Sequence, residues 1–594
     1  MCKGLFQETD RHTRVKSRSL ATSAVSIALV ALGLLATPPG VLAQGPAPPP
    51  ICASGQASVE DLTLLRAVRA TIDVGERKCF RVILKRGDFA RLSIEVDSVF
   101  ALVQVLAPGE SRPLLQVERG RESRWPVSWE AKLAGSYWVV LDAGPRFERA
   151  GSGTFSVQID QVLPVADRQR EHKRLAADPR VAWLREHTEA VRTIDPNDGD
   201  LADLDFLASW LRDARVVLLG ESHLGNGSDF LAKTRLIRFL HRRLGFDVLA
   251  FEAGLYDMAQ AWHSVQSGRP PREAFAQGVW RVWIRAEQFL PLVEYVTQAA
   301  QSGNPLQLAG FDLQFTGSAS RDSLVRDLAG VLRTETIDSP LAQGTTKERR
   351  ILQSLTEGAY LRGDIPLPSS EEQQALVEAL RRAVAEIERT SRSPEREFWA
   401  QVLRSAALQA SITFAELSKD APFRVDVEYQ RARDEQMAEN LVWLARRYFS
   451  NRKIIVWAHT GHLMRNPQLV PSTTVRQTTM GHRVWEALGE EVFVIGFTSY
   501  EGAYHWATQP DDLVFTIVSD QHTGPEFEEM MRATGRNFAL VNLREAARAR
   551  SWLGGSFLAR PLLHITERAP WSRVLDAIFF VRNQEPSRTL SNVR

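Results

Sequence analysis

Apolar and polar positions are arranged in two different ways along this chain. From Cys79 to about Val162 they alternate in short runs, as in Phe155-Ser156-Val157-Gln158-Ile159. A period of two predicts strands with one buried face. The runs are Cys79–Leu84, Ala90–Val96, Ala101–Leu106, Leu114–Glu118, Ser136–Asp142 and Gly153–Asp160, separated by turn signals such as Arg86-Gly87-Asp88, Ala107-Pro108-Gly109 and Ala143-Gly144-Pro145. Six or seven short strands at this spacing predict a β-sandwich over residues 52–162.

Beyond residue 163 the texture changes. Residues 163–212 read as charged helices broken at Pro179 and Pro196. Near-continuous apolar runs then appear at Arg215–Gly220, Asp247–Glu252, Leu306–Asp312, Lys453–His459 and Glu491–Phe497, with amphipathic helical stretches between them. Such strands, alternating with helices, predict an α/β unit: a mostly parallel sheet covered on both faces. Its ligands bind beyond the carboxyl ends of the strands. Between residues 318 and 450 the strand signal disappears, and Glu371–Thr390, Glu395–Leu417 and Val427–Phe449 read as long helices. This is a large helical insertion that walls or lids the site. The α/β unit with its insertion occupies residues 163–594, and the small all-β sandwich precedes it.

The first 43 residues read differently again. Lys16 and Arg18 precede an apolar run from about Ala21 to Ala36, then Pro38-Pro39 and Val41-Leu42-Ala43. A basic start, an apolar centre and a small residue before the cut describe a secretory signal peptide. The run is shorter than the ~20 residues of a spanning helix, so cleavage after Ala43 and a periplasmic or secreted protein are expected, with no membrane association afterwards. A Pro-rich linker (QGPAPPP from Gln44) fills residues 44–51. Export places Cys52 and Cys79 in an oxidising compartment, where one disulfide is expected. The 594 residues carry 73 Lys+Arg against 71 Asp+Glu, a net charge of +2; residues 1–43 are +3 by themselves, which leaves −1 for the remainder. A nearly neutral mature chain has no nucleic-acid footprint.

The candidate chemistry sits where the apolar runs end. Gly220-Glu221-Ser222-His223 follows the first, with Gly225-Asn226-Gly227 beyond. A Glu and a His there are costly to bury without a purpose. Glu252 closes the second run and Asp312 the third. His459 and His462 end the fourth, in Trp457-Ala458-His459-Thr460-Gly461-His462. Glu287 is a further acidic candidate. No G-x-S-x-G elbow is present, so a serine nucleophile gives way to water activated by histidine.

These motifs, in this order, resemble the erythromycin esterase family. The matching segments are Leu218–Glu221 with His223, Lys233–Leu240, Gly245–Gly254, Trp283 with Glu287, Gly310–Gln314, Arg433-Asp434 with Met437-Ala438, Lys453–His462, Met480-Gly481 and Val494–Phe497. The resemblance covers roughly residues 190–505. The sandwich, outside it, resembles the pre-peptidase C-terminal type of module. The family resemblance implies hydrolysis of a carboxylic ester or lactone, a small-molecule substrate, without cofactor or metal. It implies His223 as general base, Glu221 as its partner, and Glu252, His459 and His462 as further active-site groups. Lys233 or Arg235 would be the cationic substrate-binding residue, with Glu287 and Asp312 beside the substrate. The family spaces its Glu and His as G-E-x-x-H, whereas this chain has G-E-x-H. That spelling also looks like the TraB/Tiki and haem-uptake proteins. It implies, as the alternative, a metal-dependent hydrolase or a haem- or metal-binding protein.

Overall fold

The computed structural model of the chain describes residues 49–53, 58–99, 101–119, 123–143, 151–390, 393–419, 427–473, 478–511, 513–517 and 524–590. The expected signal peptide and nearly all of the linker lie outside the described residues.

Among the described residues the sandwich has nine strands: β1 (Ser58–Asp61), β2 (Val68–Asp73), β3 (Arg77–Leu84), β4 (Phe89–Asp97), β5 (Ala101–Leu106), β6 (Pro113–Arg119), β7 (Ser123–Glu130), β8 (Gly135–Ala143) and β9 (Ser152–Leu163). They form a five-stranded sheet, β1-β3-β8-β5-β6, and a four-stranded sheet, β2-β9-β4-β7. Alternate residues of both sheets, among them Val82, Leu92, Ile94, Val103, Val139 and Val157, make one buried core. Cys52 and Cys79 are joined by a disulfide, with their Cα atoms 6.0 Å apart.

The α/β unit is built on β10 (Glu189–Ala190), β11 (Val216–Glu221), β12 (Phe246–Gly254), β13 (Gln307–Asp312), β14 (Lys453–His459), β15 (Val492–Tyr504), β16 (Phe515–Thr516), β17 (Phe538–Asn542) and β20 (Ala577–Gln584), while β18 (Phe557–Ala559) and β19 (Glu567–Ala569) pair separately. The large sheet runs β10-β17-β20-β15-β11-β14-β12-β13, and β16 pairs with β15. Strands β20, β15, β11, β14, β12 and β13 are parallel, and β17 and β10 add an antiparallel edge. From β11 the chain crosses to β12 and β13 on one side and later reaches β15 on the other, so the connections diverge beside β11. Open α/β sheets form a crevice at such a point.

Every residue of β11 is buried, because both faces of the sheet are covered. Val217, Leu219, Leu249, Phe251, Ile455 and Trp457 pack into one layer. Val216, Leu218, Val248, Ala250, Ile454 and Val456 pack into the other. Among the described residues from Ser320 to Tyr448 every regular element is helical, and this insertion has an apolar core of its own that includes Leu328, Leu376, Leu380 and Leu403. No described helix is long and apolar enough to cross a membrane.

Candidate active site

Four neighbouring parallel strands deliver their polar ends to one place. Glu221 ends β11 and stands opposite His459 at the end of β14. Glu252 lies near the end of β12, and Asp312 ends β13. The sheet order β11-β14-β12-β13 therefore sets Glu221, His459, Glu252 and Asp312 side by side.

A helix of the insertion, Val427–Trp443, completes the cluster. The guanidinium of Arg433 donates from Nε to Asp312 Oδ1 at 3.2 Å and from Nη2 to Asp312 Oδ2 at 2.5 Å. Nη2 also donates to Glu252 Oε1 at 2.8 Å. The planar fork suits this grip on two carboxylates. Asp434, the next residue, meets Nδ1 of His462 at 2.6 Å through Oδ1 and accepts the Met480 N–H at 3.2 Å. A carboxylate only accepts, so Nδ1 of His462 donates to it. Nε2 lies 3.2 Å from Arg433 Nη1 and 3.4 Å from Glu252 Oε1.

The two glutamates have opposite electrostatics. Burial pushes the Glu252 carboxyl up, but the charges of His462 and Arg433 and the His459 N–H bonded to Oε2 at 3.0 Å outweigh it and hold it near 2. Burial dominates at Glu221 and raises it to about 7, even though Lys233 Nζ bonds its Oε2. The Lys233 ammonium lies 3.9 Å over the Trp457 ring and is itself lowered by burial. Glu221 and Lys233 are wholly buried, whereas Glu252 keeps 6% exposure and His462 and His223 keep 7% each. His459 is the most exposed member of the cluster, so solvent reaches it past His459, with Glu252 and His462 slightly exposed beside it.

His223 has a different setting from the one expected of a base. Its Nδ1 accepts the Gly225 N–H at 3.1 Å, and the Trp506 indole N–H lies 3.2 and 3.3 Å from its two ring nitrogens. The Tyr504 ring is 4.0 Å from the imidazole, centroid to centroid. His459 likewise accepts the Gly461 N–H on Nδ1 at 3.0 Å and faces the Ser222 carbonyl with Nε2 at 3.2 Å, capping the turn Thr460–Leu463. His459 therefore uses its Nδ1 lone pair on backbone and donates from Nε2; His223 likewise uses Nδ1 on backbone, and its ring shares the Trp506 indole N–H between both nitrogens.

The structure brings Glu221, Lys233, Glu252, His459, His462 and Asp312 together. It does not bring Arg235 or Glu287. Arg235 stands two residues from Lys233, roughly 200° round the helix, and its Nη1 and Nη2 bond Asp203 at 3.1 and 2.6 Å. Lys233 is thus the cation of this helix that faces the cluster. Glu287, partly exposed, pairs with Arg588 at 2.8 Å. Arg433 and Asp434 were quoted as motif residues without a site role. Their signal is that they share the buried stripe of Met437, Ala438 and Leu441, where two charges demand partners.

Among the described residues no three His, Cys, Asp or Glu side chains are grouped to hold a metal ion. Both oxygens of Glu252 and Asp312 and Oε2 of Glu221 are bonded to Arg433, Lys233 and the His459 amide, while Glu221 Oε1 and Asp434 Oδ2 have no hydrogen-bond partner.

Comparisons with known proteins agree with this architecture. The putative hydrolase YbfO of Bacillus subtilis is 23% identical over 420 residues, 68% of this chain and 91% of that protein. The crystal structure of a succinoglycan biosynthesis protein superposes with a TM-score of 0.56 at 18% identity, over 70% of this chain and 98% of that one. A mutant of the erythromycin esterase EreC in its open conformation gives 0.51 at 17% identity, over 68% and 100%. At these identities the two structures show a shared fold. The family model for erythromycin esterase matches residues 241–582, which include Glu252, Asp312, Arg433, Asp434, His459 and His462, while Glu221, His223 and Lys233 precede them. The chain belongs to the erythromycin esterase family of hydrolases.

Proposed function

We propose that this protein hydrolyses a carboxylic ester or lactone with water activated by His462. The observation that carries this reading is the Asp434–His462 pair at 2.6 Å, with His462 keeping slight exposure at the edge of the cluster. Asp434 holds the proton on Nδ1, and Nε2 of the neutral ring, which otherwise faces Arg433 Nη1 at 3.2 Å, takes one from water. The hydroxide adds to the carbonyl carbon, the C–O bond of the tetrahedral intermediate breaks, and Nε2–H returns its proton to the leaving alkoxide. The imidazolium formed in between lies between Asp434 and Glu252, both negative, which stabilises it. His223, with Nε2 as donor, is assigned to the carbonyl oxygen as it becomes an oxyanion. This reverses the roles expected from sequence, where His223 was the base.

A metal-dependent reaction of the TraB/Tiki type is disfavoured by the donor set. Arg433 and Lys233 already neutralise the carboxylates, and a cation between them would meet two positive charges. A panel of lactones and aryl esters, each assayed with and without chelator, tests the proposal. Turnover of at least one substrate, unchanged by chelator, is expected. Activity abolished by chelator would refute it, as would no turnover on the whole panel.

Export is part of the same proposal, supported by the Cys52–Cys79 disulfide, which persists in oxidising compartments. N-terminal sequencing of the periplasmic or secreted protein should begin at Gln44. An intact Met1 on cytosolic protein would contradict it.

A further inference from the structure

The β-sandwich is covalently remote from the chemistry, yet a short path of contacts leads from it to His223. Strand β15 runs past the sheet and ends at Tyr504, where Ala503 and Tyr504 pair with Thr516 and Phe515 of β16. This extension meets the sandwich edge. The Gln116 N–H of β6 donates to Thr516 Oγ1 at 3.2 Å, and Leu102 of β5 packs against a small apolar cluster of Tyr504, Leu513, Phe515 and Ile517. The Phe515 ring stacks on Tyr504 at 5.4 Å, and Tyr504 lies on His223 at 4.0 Å.

The next two residues grip the same loop. His505 N donates to the Gly225 carbonyl at 3.0 Å. A Cβ at Gly225 would come within 2.7 Å of the His505 backbone, so only glycine allows this approach. The partly exposed Trp506 then sets its indole N–H on the His223 imidazole. The hairpin thus has the sandwich on one side and the Ser222–Asn226 loop on the other.

We propose that the sandwich is a positioning element of the hydrolase site. Through Leu102 and Gln116 it holds the Tyr504–Trp506 wall against His223, and Trp506 is the face of that wall which the substrate meets. Leu102, Thr516 and Tyr504 are positioning residues that act through His223. The inference rests on the site reading given under Proposed function for its kinetic readout, but its structural part stands without turnover. The Phe515 ring is stacked on Tyr504, and the Tyr504 and Trp506 rings lie tilted against His223; misplacement of a reacting group by about 1 Å costs about 10²-fold in rate.

The test uses the full chain and the variants Leu102→Glu, Thr516→Val, Thr516→Ser and Trp506→Phe. Leu102 is only partly buried, so its substitution falls on the contact rather than inside the sandwich core. Hydrogen exchange of the amides from Ser222 to Gly227 is measured first, since it needs no substrate. L102E and T516V should raise it at least about tenfold while strands β3 and β8 stay protected, and T516S should restore the wild-type rate. On an ester substrate, L102E and W506F should each lower kcat by about ten- to a hundredfold with little change in KM. The double variant should lose no more than the worse single one, because both break the same chain of contacts. Exchange of Ser222–Gly227 unchanged in both L102E and T516V would overturn the proposal, and so would multiplicative losses in the double variant. An inactive wild type with the expected exchange pattern would count against the ester reading alone and leave the positioning role supported. If L102E fails to fold, the T516V and T516S pair carries the same comparison.

Discussion

Replacing Glu252 by Gln removes one charge from the Arg433 network and keeps the side chain's shape. The carboxyl is held at about 2, from an ordinary 4.5, chiefly because the charges of His462 and Arg433 prevail over burial. A depression of that size corresponds to about 3 kcal/mol of stability. The sign follows from proton binding. Between about pH 2 and 4.5 the unfolded chain takes up a proton that the folded chain refuses, so stability falls as the pH drops through this window. The wild type should exceed E252Q by about 2 kcal/mol at pH 3.5, the difference vanishing below about pH 2; at pH 7, where His462 serves as a neutral base, Arg433 and the His459 amide alone maintain it, and it should stay positive but below about 3 kcal/mol. Arg433 keeps Asp312 in the variant, which trims the loss. Urea unfolding of both proteins at several pH values, followed by tryptophan fluorescence, measures the difference. A gap that does not change with pH would mean that packing is responsible, and a more stable variant at pH 7 would mean that desolvation outweighs the ion pair. Either result refutes the reasoning.

Three further predictions concern the same cluster. Arg433→Met leaves Glu252 and Asp312 as uncompensated buried charges and should cost about 3–5 kcal/mol in urea unfolding at pH 7; a cost under about 1 kcal/mol would contradict the network. Asp434→Asn releases the tautomer of His462 and should lower kcat by about 10²–10⁴-fold with KM nearly unchanged, so steady-state kinetics showing wild-type kcat would remove Asp434 from the mechanism. Gly225→Ala forces the His505 backbone away from the His223 loop and should destabilise the protein by about 1–3 kcal/mol and lower kcat; an unchanged Tm would show that the close approach carries no load.

Much of the scaffold was legible because burial on both faces leaves a plain mark. Lys453–His459 is a strand with the bounds its apolar run suggests, and Ala101–Leu106 is another. Strands without that mark escaped. Residues 68–73 form an edge strand that is mostly exposed, and residues 123–130 carry Pro126 in mid-strand. The run Ala577–Val581 was apolar enough to be read, but it lies beyond the span, ending near residue 505, that the family motifs covered. Strand ends were a guide to which residues adjoin, since Glu221, His459, Glu252 and Asp312 lie side by side at one sheet edge. The helix face was not legible at Lys233 and Arg235, since two cations two residues apart differ only in which side of the helix meets the sheet. Arg433 lies 121 residues from Asp312 in sequence, and only tertiary packing pairs them. The role of His223 turned on a backbone amide, Gly225 N–H, that a list of side chains does not reveal.

The central claim is that His462, rather than His223, takes the proton from water. Pre-steady-state and steady-state hydrolysis of one turned-over ester by His462→Gln and His223→Gln, side by side near neutral pH, tests it directly. The account predicts that H462Q loses about 10²–10⁴-fold in kcat, the share expected of a general base. H223Q should lose less, because its glutamine amide still donates to the oxyanion. H223Q inactive while H462Q keeps most of its rate would contradict the account.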